Sequence, residues 1–324
     1  MAGLPRFITQ TLPEMPRALA TREPHLDRRN VVDAFGVIAI FIAIVSSLPA
    51  VLPKNPMLIT LAGAAIAWGF AEAFTRYRGM AAPSMVFSVI FAEMALVGAA
   101  MLIPGAQLRD AIPDLIGLAQ ARPGALSVAC AAAGAAMLVH YRLLRSPVDP
   151  ALAAGAFTAA TMLAARAAMP DLMTYVAHFV AAGCAWLTLL AATAMDVSDP
   201  HRETRGSDVA FWLHLAAAVI LAYAIFACGG VLKEVTAFLA LTVFAVLGVA
   251  VNRYLILTVT KLGLVVVLAI AVAYQSAELA LVTLIPLAIL TYAHVERRRI
   301  RRRLIERTLP ELAPILPPVE DDAS

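Results

Sequence analysis

The chain has 324 residues, 61% of them hydrophobic and 15% charged, with a formal net charge of +3. This composition excludes an ordinary two-domain soluble protein of the same length, and it excludes a disordered chain. It also argues against nucleic-acid binding, because the basic residues flank apolar runs and lack interleaved aromatics.

Residues 1–30 form a polar lead. Arg6, Arg17, Arg22, Arg28 and Arg29 are spread along it rather than abutting a short apolar core, so the first apolar run reads as an uncleaved span. Within the lead, Phe7, Ile8, Leu12, Met15 and Leu19 recur at helical spacing and predict a helix lying on the inner membrane surface.

A bilayer core about 30 Å thick needs roughly 17 to 25 apolar residues in a helix. Ten runs approach or meet that length: Val31–Val51, Pro56–Phe74, Ala82–Ile103, Ala125–Tyr141, Ala151–Met169, Asp171–Met195, Val209–Cys228, Val235–Val251, Tyr254–Ala273 and Glu278–Val295. Pro53, Pro56, Pro83, Pro104, Pro123, Pro150 and Pro170 fall at their ends, where a missing amide proton is tolerated. Pro286 falls inside the tenth run and predicts a kink. Between the third and fourth runs, Leu108, Ile112, Leu115, Ile116 and Ala119 predict a short interfacial helix within Gln107–Arg122.

The stretch from Ala194 to Ala218 is the most highly charged interruption of the apolar pattern. It gathers Asp196, Asp199, His201, Arg202, Glu203, Arg205 and Asp208 before returning to hydrocarbon through Phe211, Trp212 and His214. The last run continues into ERRRIRRRLIER, a basic helix suited to anionic inner-leaflet lipid, and the chain closes on an acidic tail. The expected organisation is a segment 1–30, a transmembrane domain 31–295 and a cytoplasmic end 296–324.

Alternating ten spans from a cytoplasmic N-terminus places 19 arginines on the inner side, against Lys54, Arg109, Arg122 and Lys233 outside. The positive-inside rule therefore predicts an all-α polytopic bundle with both ends cytoplasmic, embedded in a bacterial inner membrane. Two short parallels, VDAF with SDVAF and MLVHYRLLR with LTYAHVERRR, hint at duplicated four-span units around spans five and six.

At Ser207–His214, SDVAFWLH, with its lead-in DPHRETRG, the sequence resembles an uncharacterised family of multi-spanning bacterial membrane proteins. The closing LPELAPILPP is similar to that family's usual ending. The resemblance covers the second half of the chain and implies a membrane fold without implying an activity.

Ionisable residues inside spans are functional candidates because burying them unpaired is costly. Glu93 lies near the centre of the third span, where a charged carboxylate costs about 2.5 to 3.5 kcal/mol to insert. It is the leading candidate for carrying a proton or a cation. Lys261, two turns inside the ninth span, either snorkels inward or serves as counter-charge to Glu93 or Glu72. Glu72, His214 and Pro286 are secondary or gating candidates. His140, His214 and His294 share the inner half of the bilayer and His178 the outer half. A haem would need two of them facing across helices; the ordinary role is a hydrogen bond to a neighbour.

Cys130, Cys184 and Cys228 are isolated in apolar runs, so no disulfide framework or metal site is expected. Hydrolase, metalloprotease and P-loop motifs are absent. The leading functional expectation is a secondary transporter or permease for a small solute or ion. The alternatives are a non-catalytic membrane scaffold and, third, a haem-binding membrane protein. Expected partners are the bilayer, anionic lipid at the basic ends, the solute, and a second copy of the chain.

Overall fold

A computed structural model of the chain describes residues 28–52, 55–78, 81–105, 111–199 and 206–227, and beyond these only 261, 265, 284, 287–292, 295–296, 299–300 and 302–303. Among the described residues the regular structure is helical throughout, with no strand. The helices are α1 Arg28–Val51, α2 Pro56–Glu72, α3 Ala81–Met101, α4 Ala111–Ala121, α5 Pro123–Leu144, α6 Asp149–Ala168, α7 Pro170–Ser198 and α8 Gly206–Ala227. A π-helical turn over Ala73–Arg78 follows α2.

Five described stretches are long and apolar enough to cross a membrane: Pro56–Thr75, Pro83–Met101, Pro123–Leu144, Asp149–Ala168 and Val176–Ser198. Phe35–Val51 and Asp208–Ala224 add shorter apolar helices. A 20-residue helix rises about 30 Å, the thickness of the hydrocarbon core. The chain is built as a membrane-embedded protein.

The first seven predicted runs each coincide with a helix, and the differences lie at the ends. Proline sets several starts: α2 begins at Pro56, where the Asn55 side chain accepts a 3.0 Å hydrogen bond from the Met57 amide, and α5 begins at Pro123. α5 and α7 run past their apolar runs to Leu144 and Ser198, because polar residues at a span end keep the helical hydrogen-bond ladder as they leave hydrocarbon. A short helix does form within Gln107–Arg122, as α4. The surface helix expected in residues 1–30, the eighth to tenth runs as continuous spans, the kink at Pro286 and the second half of each proposed repeat fall largely or wholly outside the described residues.

The helices pack as antiparallel neighbours: α2 on α3, α5 on α6 and α7 on α8, with α3 meeting α5 and α6 meeting both α7 and α8. The α1–α3 end is filled by rings. Phe87 lies 5.0 Å from Phe70 and 6.0 Å from Phe74 in stacked geometry, and Phe41 meets it edge-on at 5.5 Å. Such pairs add about 0.5–1.5 kcal/mol each beyond the area they bury.

The α5–α6 interface works the other way, through small residues that let the backbones approach. Ala129, Cys130, Ala133 and Gly134 are buried on α5, and Ala153 and Ala160 on α6. Ser127 Oγ donates to the Ala160 carbonyl at 2.8 Å across this interface. At the far end of α3, Gly105 takes a positive φ of 76°, and the Arg122 guanidinium lies over it and donates to the Pro104 carbonyl. That contact ties the α3 end to the start of α5.

Candidate functional site

Ten polar side chains are buried among the described residues: Thr60, Ser84, Ser88, His140, Ser146, Asp149, Thr188, Asp196, Asp199 and His214. Thr60 and Thr188 satisfy themselves on carbonyls one turn back in their own helices. The other eight all lie toward one end of the bundle, where α3 and α8 begin, α5 and α7 end, and α6 starts. The stretch from Ala194 to Ala218, which stands out for its charge, belongs to this end. The structure buries part of it.

The centre of this end is a pair across the α5–α6 joint. His140 Nδ1 lies 2.6 Å from Asp149 Oδ2, and both side chains are 0% exposed. The local sequence makes the pair. α5 ends one turn after His140 at Arg145, which adopts the left-handed conformation (φ 56°) and donates its amide to the Tyr141 carbonyl. The turn is short, and α6 starts at Asp149 with Pro150 behind it, where a proline's missing amide proton costs nothing. A carboxylate in the first turn is favoured by the positive end of the helix dipole, and a cation near the end of α5 by the negative end.

A second pair closes the α7–α8 hairpin. His214 Nε2 lies 2.7 Å from Asp196 Oδ2, both 1% exposed. Here the carboxylate sits in the last turn of its helix, where the dipole disfavours it and its partners must compensate. The two hairpins touch: Tyr141, next to His140, and Ala154 of α6 pack on Ala192, Val209 and Leu213 beside the second pair.

Each histidine leaves its other nitrogen buried and without a hydrogen-bond partner, Nε2 in His140 and Nδ1 in His214. Asp149 Oδ1 is in the same state. Aromatic rings enclose His140. Phe91 stacks on it at 4.9 Å and 19°, and Trp68 meets it edge-to-face at 4.8 Å and 84°. Two hydroxyl pairs lie at the same end. Thr75 Oγ1 lies 2.5 Å from Ser84 Oγ, and Ser88, one turn further along α3, donates to Ser146 Oγ at 3.0 Å. Ser146 belongs to the α5–α6 joint, and its carbonyl accepts the Asp149 amide at 3.2 Å. Thr75 lies in the π-helical turn, a geometry that recurs where helices carry function.

The expected residues are scattered. Glu93 is exposed, on the side of α3 away from Phe87 and Phe91. Lys261 is helical and half-buried, and among the described ion pairs none joins it to Glu93. Glu72 is half-buried, one turn beyond Trp68 on α2, and has a partner of its own. His214 is in the second pair. Pro286 and His294 lie outside the described residues. Among the described residues no group of three or more His, Cys, Asp or Glu is placed to hold a metal.

The carboxylates of both pairs, Asp149 and Asp196, were missed as site residues. The signal was present: His140 and Asp149 are nine positions apart with a Ser-Pro joint between them, and Asp196 and His214 bracket a second charged joint. Two helices meeting at a tight joint bring such residues face to face.

No protein-family profile, curated protein or solved structure matches the chain, so the site is read from its own geometry.

Proposed function

We propose that this protein is a multi-pass inner-membrane permease for a small solute or ion, and that the buried polar end built on α3, α5, α6, α7 and α8 is where it handles its cargo. The supporting observation is that, among the described residues, eight of ten buried polar side chains concentrate at one end of the helical bundle. Helix packing alone is served by Ala, Gly and aromatic contacts, as the α5–α6 and α2–α3 interfaces illustrate. Buried charges in a span are costly and are kept where they act.

In this reading ten spans run from a cytoplasmic N-terminus to a cytoplasmic C-terminus, and the arginine distribution turns the polar end toward the cytoplasm. Glu93 is assigned a minor part, because it stands exposed on the far side of α3. The basic ends hold anionic lipid.

The test is reconstitution in sealed vesicles, with solute-induced currents measured for a panel of inorganic ions, amino acids, organic acids and amines. Expected is a current for one chemical class that disappears in Asp149→Asn and survives in Glu93→Gln. A silent panel from correctly folded wild-type protein would overturn the reading in favour of a membrane scaffold.

A further inference from the structure

We infer that the His140–Asp149 pair is a proton-binding site that takes up and releases one proton at His140 Nε2, and that the proton is therefore the coupling ion of the proposed permease. The inference rests on the permease reading for its transport role and on geometry for the proton itself.

Three observations carry it. The first is the orphaned nitrogen: Nε2 is buried, bonded to nothing, and belongs to a ring whose other nitrogen is held by a carboxylate. With Asp149 ionised, Nδ1–H donates to Oδ2 and Nε2 keeps a free lone pair. Uptake is then a single transfer from hydronium: the Nε2–H bond forms, one O–H bond of hydronium breaks, water leaves, and nothing is oxidised or reduced. The pair goes from one net negative charge to net neutral, which removes an uncompensated buried charge.

The second is the wall around the ring. An imidazolium against the faces of aromatic rings is stabilised by their quadrupole, and Phe91 stacks directly on His140 with Trp68 at its flank. The third is the company the pair keeps: two hydroxyl pairs, Thr75 with Ser84 and Ser88 with Ser146, stand at the same end, and Ser146 belongs to the joint that carries Asp149. A hydroxyl both donates and accepts, as proton exchange requires. The ring contacts close around the site, which suits a proton better than a hydrated metal ion.

At this end of the packed elements the other titratable groups are Glu72 on α2, Arg76, Tyr77 and Arg78 in the π-helical turn, Tyr141, Arg142 and Arg145 at the end of α5, and Asp196, Asp199, Asp208 and His214 around the α7–α8 joint; α3 carries only Glu93, and α6, beyond Asp149, only Arg166 near its other end.

The test is nitrogen NMR of the full chain, labelled with ¹⁵N-histidine and held in lipid nanodiscs, from pH 5 to 8. The His140 signal is assigned by its loss in His140→Gln, or in the wild type by its contacts with the Trp68 and Phe91 rings should that variant not fold. Expected is a His140 Nε2 that passes from protonated to unprotonated within this range, and loss of that transition in Asp149→Asn. A His140 ring fixed in one state across the range would overturn the proton site and leave the pair a helix clamp. A titrating His140 in vesicles that show no solute current would keep the proton site and retire the permease reading. Solute flux beside a silent His140 would do the reverse.

Discussion

His140 Nδ1 and Asp149 Oδ2 meet at 2.6 Å across a four-residue joint, in a place where neither side chain touches solvent. Removing one partner leaves the other polar and buried, and breaking such pairs costs about 3–5 kcal/mol in well-studied proteins. His140→Ala and Asp149→Ala should each lower unfolding free energy by about that amount, measured by denaturant titration in detergent. The double variant should cost clearly less than the two single losses together, because the pair acts as a unit. A strictly additive result would mean that the contact contributes nothing as a pair.

An exposed pair sets the contrast. Arg299 Nη1 lies 3.2 Å from Glu296 Oε2 with the arginine 67% exposed. Arg299→Ala should change stability by no more than about 1 kcal/mol in the same assay, and its small effect should shrink further in high salt.

Gly134 faces the Phe157 ring, and a Cβ there would sit 3.1 Å from two of its carbons. Gly134→Ala should destabilise by about 1–3 kcal/mol through overpacking, and Phe157→Leu on top of it should recover part of the loss. Gly155, on the same α6–α5 hairpin, has open space at the equivalent atom. Gly155→Ala should instead be neutral or stabilising by up to about 1 kcal/mol, the helix propensity difference. Thermal unfolding of the two single variants side by side separates packing from propensity.

Arg145 closes α5 in the left-handed conformation, φ 56° and ψ 33°. A residue with a Cβ pays about 1–2 kcal/mol there, which glycine avoids. Arg145→Gly should raise the unfolding free energy by about 1 kcal/mol without altering the joint. A drop would show that the guanidinium holds the joint through a contact worth more than the backbone strain.

Thermal shift gives a direct reading of the cargo site. A ligand at 100 times its dissociation constant adds about 2.7 kcal/mol to the folded state. A ligand found in the vesicle screen should raise the melting temperature of wild type and of Glu93→Gln alike, and should fail to raise that of Asp149→Asn. Loss of the shift in Glu93→Gln would return the midplane carboxylate to the centre of the mechanism.

The sequence by itself determined that this is a helical, membrane-embedded chain and where its first seven apolar helices lie. Hydrocarbon has no hydrogen bonds to offer a backbone, so apolar runs of this length fold as helices whatever their neighbours, and prolines at Pro56, Pro123 and Pro170 mark where they begin. It also drew attention to the charged stretch from Ala194 to Ala218 and to His214 within it.

Which polar residues meet was decided by tertiary structure. Glu93 looked central because depth along a span is readable from sequence, but the face it occupies is set by how α3 packs, and Phe87 and Phe91 took the inside. Asp149 stands just ahead of the fifth predicted run, where nothing in one helix marks it out. The left-handed turn at Arg145 folds α6 back against α5 and carries Asp149 onto His140, while Trp68 and Phe91 arrive from α2 and α3 to seal the ring. Depth follows from one helix alone. Facing requires two, and their packing is what places a carboxylate against an imidazole out of reach of water.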